Sequence, residues 1–95
     1  MELKAVSVLA QETREKILEE LRKKPTHASD LARKIKLDRP TICYHLSKLE
    51  AVSLVSGNYV ILEHRSPGRA AKIYAVNEEK YAEALKELKE LSQNL

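Results

Sequence analysis

Twenty residues from Leu31 to Glu50, LARKIKLDRPTICYHLSKLE, constrain this chain more than any other stretch. Apolar side chains recur at helical spacing on both sides of a two-residue break, Lys36-Leu37. Leu31, Ala32 and Ile35 give one inward stripe; Ile42, Leu46 and Leu49 give another, with His45 at its edge. Asp38 is a good N-cap for the second helix, over 38–51, because its carboxylate accepts orphan backbone N–H groups. Pro40 falls in the first turn, where its missing N–H costs little. Leu37 is expected to anchor the turn in the core. Two short helices joined this tightly form a helix-turn-helix, whose second helix lies in the DNA major groove.

The flanking segments extend the pattern. Ile17, Leu18 and Leu21 predict a helix over 13–23, which Pro25 ends by disfavouring helical geometry in the residue before it. The next helix runs from about His27 to Ile35. Thr26 is the better N-cap by chemistry, and His27 with Asp30 gives a weaker arrangement. After Val52 the composition turns β-rich, in Tyr59–His64 and Lys72–Val76. Leu54-Val55 is a candidate further strand. Two turns compete for the tip, Ser56-Gly57-Asn58 and Arg65-Ser-Pro-Gly-Arg-Ala70. Asn77 caps a last helix over 77–95, on which Tyr81, Leu85, Leu88, Leu91 and Leu95 recur every three or four residues.

The chain has 95 residues and a net charge of +3, which suits one domain with one core at about 10–76. Trp and Phe are absent, so Leu, Ile, Val and Ala build that core. The charge is uneven. Residues 36–72 carry Lys36, Arg39, Lys48, Arg65, Arg69 and Lys72 against Asp38, Glu50 and Glu63, while 77–95 are net acidic. A polyanion should therefore meet the middle of the chain. Apolar runs fall far short of the roughly 20 residues that span a bilayer, and Met-Glu-Leu-Lys lacks a signal-peptide core, so no membrane partner is expected. A single cysteine fits a reducing cytoplasm.

The order helix, helix, recognition helix, hairpin, helix is that of a winged helix, an α+β fold that is mostly α. The residues resemble one family more closely. Leu9-Ala-Gln-Glu-Thr-Arg14 with Ile17-Leu18 is similar to the opening signature of the ArsR-type winged-helix regulators. Asp30-Leu-Ala-Arg-Lys-Ile35 resembles their second helix. Arg39-Pro-Thr-Ile-Cys-Tyr-His-Leu46 with Leu49-Glu50 resembles their recognition helix. The resemblance covers roughly residues 7–77. It implies a dimeric transcriptional regulator on a pseudo-palindromic operator. Two positions depart from the family pattern: Ser53 stands for the usual glycine after the recognition helix, and Gln11 for the usual Asp. Metal-sensing members carry paired cysteines in the recognition helix or an Asp/His cluster on the terminal helices. This chain has neither, so metal sensing does not carry over.

Candidate DNA contacts follow from placement. Arg39, Pro40 and Thr41 open the recognition helix, where base edges are usually reached; Arg suits guanine and Thr a thymine methyl. Tyr44 and Lys48 follow on the same outward side, and Cys43 is a small residue near the groove. Arg65, Arg69 and Lys72 surround the wing over 64–72, which suits the backbone or minor groove. Cys43 and His45 point about 200° apart on a helix, too few and too divergent for a zinc site. No metal or cofactor is expected, and no effector can be named. Tyr81, Leu85, Leu88, Leu91 and Leu95 are expected to form a homodimer seam, joined by Leu3, Val6 and Leu9. The same row could instead pack on its own domain.

These features predict a homodimeric, sequence-specific regulator of double-stranded DNA. A non-specific architectural DNA binder and a protein-interaction module are the alternatives. An enzyme is not expected, since no phosphate loop, metal cluster or carboxylate pair occurs at a plausible pocket.

Overall fold

The computed structural model describes residues 11–62 and 69–93. The chain forms α1 (Glu12–Lys23), α2 (Ala28–Ile35), α3 (Arg39–Ala51), β1 (Val55–Leu62), β2 (Arg69–Val76) and α4 (Glu78–Gln93). In α1, Glu12 and Glu15 in the first turn and Arg22 and Lys23 in the last complement the helix dipole. Gln11 occupies its N-cap without a side-chain hydrogen bond.

His27, not Thr26, caps α2: its Nδ1 accepts from the Asp30 backbone N–H at 3.1 Å. Thr26 is engaged elsewhere. Its backbone pairs with Tyr74 through two hydrogen bonds of 2.8 and 3.2 Å, so it stays extended and the helix begins later. Its hydroxyl donates to Asp30 at 3.0 Å. The turn after α2 also differs from expectation. Lys36 takes a left-handed conformation (φ 65°), and Leu37 is left 36% exposed. Ala32 and Ile35 pack against the core in its place.

The core is one cluster of buried side chains. Ile17 and Leu18 of α1, Leu31 of α2, Ile42, Leu46 and Leu49 of α3, and Leu54 are fully buried within it. The hairpin is antiparallel, in a register running from Val55↔Val76 to Leu62↔Arg69. Ser56, Gly57 and Asn58 lie within β1, so the connection between strands is 63–68 rather than 56–58. A side chain at Gly57 would run into Lys72, whose stem crosses there. The hairpin, the Thr26 bridge and the helices make the winged helix expected from the order of elements.

Asn77 closes the hairpin and opens α4. Its N–H donates to the Leu54 carbonyl at 2.9 Å, and its Oδ1 accepts from the Lys80 N–H at 3.2 Å. The apolar row of α4 divides. Ala84 is buried, and Tyr81, Leu85 and Leu88 pack against the core, while Leu91 is 38% exposed. Leu3, Val6, Leu9 and Leu95 lie outside the described residues.

The exit of α3 stores backbone strain. The Leu54 N–H bonds to the Leu49 carbonyl and the Ser53 N–H to the Glu50 carbonyl, both at 3.0 Å. That is a Schellman closure, and it puts Ser53 at φ 63°, a position where glycine avoids the Cβ penalty. Ser53→Gly should raise stability by about 1 kcal/mol. Thermal unfolding should show a midpoint higher by several degrees, and an unchanged or lower midpoint would mean that Ser53 makes a compensating bond.

Candidate nucleic-acid interface

The start of α3 is fixed by its N-cap. The Asp38 carboxylate accepts from the Thr41 N–H at 3.2 Å and from the Thr41 hydroxyl at 2.7 Å. These bonds, the hydroxyl first, hold the Asp38 carboxyl below its usual range. Pro40 sits in the first turn, and Arg39 is exposed beside it. Thr41 is half-buried with its hydroxyl proton directed to Asp38, so its methyl and oxygen lone pairs remain for other contacts.

One turn on, Tyr44 is 54% exposed. The Lys48 ammonium lies 5.5 Å from its ring centroid, and the His45 ring meets it edge-on at 5.3 Å. Ser47 is exposed on the same face and donates to the Tyr44 carbonyl at 2.7 Å. Thus Arg39, Pro40, Thr41, Tyr44 and Lys48 form one outward surface, with Ser47 as a member that sequence reasoning missed. Helical spacing from Tyr44 would have found it.

Two further predicted contacts, Cys43 and Lys72, line one cleft together with Arg39, between the hairpin and the starts of α2 and α3. Cys43 is half-buried and packs against the core. Lys72 lies inside the hairpin opposite Tyr59, with its ammonium 3.2 Å from Glu50 Oε1, and this pairing raises its pKa. Its ammonium also stands 5.0 Å from the Tyr74 ring and 5.9 Å from the Tyr59 ring. It ties the hairpin to the end of α3 rather than standing at a tip. Arg69 begins β2 at the far end of the hairpin, opposite Leu62, and Arg65 lies outside the described residues. Among the described residues no three His, Cys, Asp or Glu gather as a metal site requires, and no helix is long and apolar enough to cross a membrane.

A buried polar contact fixes α3 against α1. Arg14 Nε donates to His45 Nδ1 at 3.2 Å, and both side chains are buried. The bond requires an unprotonated His45. Burial, and then the Arg14 charge, lower its pKa. The folded chain therefore binds fewer protons than the unfolded chain near the ordinary histidine value of about 6.5. The stabilisation is complete above that value and is lost as pH falls below it. Unfolding midpoints should drop as pH falls from about 7 through the ordinary histidine value of about 6.5. His45→Gln, which keeps an acceptor but cannot titrate, should flatten that drop. An identical profile in wild type and variant would assign the pH dependence to other groups.

Residues 11–56 match the family described as bacterial regulatory protein, arsR family. The chain is 35% identical over 79 residues to an HTH-type transcriptional regulator of Methanocaldococcus jannaschii, covering 83% of this chain and 79% of that protein. It is similar in structure to an ArsR-like transcriptional regulator from Rhodococcus sp. RHA1, with a TM-score of 0.71 and 27% identity over 96% of this chain and 78% of that one. It is also similar to NolR from Sinorhizobium fredii, with a TM-score of 0.67 and 28% identity over 95% of this chain and 79% of that one.

Proposed function

The chain belongs to the arsR family, a transcriptional regulator with a DNA-binding winged helix, and from that premise we propose that it acts as a sequence-specific homodimer. In this reading α3 enters the major groove, and the hairpin holds the backbone or minor groove beside it. Two copies would place two such helices about 34 Å apart, on an inverted repeat in cytoplasmic DNA. The bound dimer would then alter polymerase access to the DNA.

The observation that carries this reading is the division of α3 into two faces. Ile42, Leu46 and Leu49 are fully buried, while Arg39, Pro40, Tyr44 and Lys48 face outward. A purely electrostatic binder needs only cations. This face instead offers a fork of donors, a phenol and a threonine methyl, groups that discriminate between base edges. The exposed Leu91, with Leu3, Val6 and Leu95, supplies the proposed contact between copies; Tyr81, Leu85 and Leu88 would border it from the core side.

Selection of bound fragments from random duplexes at about 0.15 M salt tests specificity. The expected product is an enriched inverted repeat, bound at least about 10³-fold more tightly than scrambled duplex. Equal affinity for both would assign a non-specific role. On the enriched site, Arg39→Ala should cost about 1–3 kcal/mol and relax preference at one base pair. A uniform loss on every sequence would make Arg39 a phosphate contact. Leu91→Glu leaves the core untouched and should halve the mass in solution and weaken DNA binding. An unchanged mass by light scattering would remove Leu91 from the interface.

A further inference from the structure

Tyr44 is the large side chain that α3 leaves in water, and an exposed ring must lose freedom when it settles against a partner. That ordering opposes binding unless the free protein already holds the ring. Two neighbours hold it here. The Lys48 ammonium stands 5.5 Å from the ring centroid, one turn on. The His45 ring meets it at an interplanar angle of 69°, with centroids 5.3 Å apart. Edge-to-face contact at this separation is a favoured geometry for aromatic rings.

The two neighbours differ in what stands behind them. Lys48 is exposed, whereas His45 is buried. On the inner side of His45, Arg14 Nε donates to Nδ1 at 3.2 Å, and Arg14 is itself buried on α1. A guanidinium only donates, so the bond places the imidazole proton on Nε2. The contacts thus run in one line from α1 through α3 to the surface, Arg14 to His45 to Tyr44.

We propose that Arg14 and His45 are positioning residues for base recognition: Arg14 locks the imidazole, and the imidazole holds the Tyr44 ring at the angle at which it reads a base pair. The inference rests on the DNA-binding reading above and adds two residues that act from behind the interface. A phenol already ordered meets one base edge, while a ring free to swing meets several and discriminates among them less. Protonation breaks the line. An imidazolium has no acceptor for Arg14, and two cations would then share a buried site. The elements α1, α2 and β1 pack on α3, and among their described charged groups Arg14 alone acts on His45. Base preference should therefore fade as pH falls below about 6.5. The charge gained would favour every duplex alike, so the readout is a ratio of affinities.

The test uses the full chain, the enriched duplex and duplexes carrying each single base-pair change. Tyr44→Ala identifies the base pair that Tyr44 reads. His45→Gln keeps an acceptor for Arg14 but has no ring. It should lower preference at that same base pair by about two- to tenfold and spare the other positions. In a Tyr44→Ala background it should change no ratio further. Wild type should lose the same preference between about pH 7.5 and about pH 6, and His45→Gln should not. A loss spread over all positions, or an equal loss with and without Tyr44, is what a purely structural His45 gives, and either overturns the proposal. So does a pH profile that His45→Gln retains, or a Tyr44→Ala chain with every preference intact. If His45→Gln does not fold, wild type against Tyr44→Ala decides: a ratio in wild type that ignores pH overturns the proposal. A wild-type chain that prefers no duplex overturns the DNA reading itself.

Discussion

The inner face of α3 is the constraint on which the rest depends. Ile42, Leu46 and Leu49 are fully buried in the cluster that holds Ile17, Leu18, Leu31 and Leu54. Each such side chain is favoured by roughly 1.5–3 kcal/mol over leaving it in water. Rotating the helix would expose them and drive Tyr44 and Lys48 inward. Burial on one side therefore dictates presentation on the other, and the polar face has little freedom to turn. The Arg14–His45 bond adds a directional pin between α1 and α3 at the same level.

The hairpin extends this logic outward. Its base is core through Val55 and Tyr74, and Thr26 ties it to the start of α2. Lys72 then bridges from β2 to Glu50 at the end of α3. The helix α3 and the hairpin are thus oriented by shared contacts rather than by a free linker. A charge that the basic composition suggested for DNA serves in part to hold the two elements together.

Much of this was legible in the residues. The apolar stripes of α1, α2 and α3, the Asp38 and Asn77 caps and the outward position of Arg39 and Tyr44 follow from local periodicity and capping chemistry. What escaped depends on long-range pairing. Of the two candidate caps of α2, His27 takes the role and Thr26 does not, because the Thr26 backbone pairs with Tyr74, far along the chain. Ser56-Gly57-Asn58 has turn composition, yet it runs through β1, where it pairs with Ala75, Tyr74 and Ile73 of β2. That misplaced turn hid the register placing Tyr59 on the face of Val55. Leu37 was expected inside because it is apolar, but the left-handed Lys36 directs the chain outward. The row on α4 allowed either a seam between copies or packing on its own domain, and its spacing alone does not choose: Ala84 is buried and Tyr81, Leu85 and Leu88 pack against the core, whereas Leu91 is exposed.

The central claim is that the outer face of α3 lies in the major groove. Chemical methylation of the bound, enriched duplex tests it directly, because guanine N7 opens to the major groove and adenine N3 to the minor. The account predicts two patches of protected guanine N7 on one face of the duplex, about 34 Å apart between centres. Full reactivity of every guanine N7 in a saturated complex would contradict it.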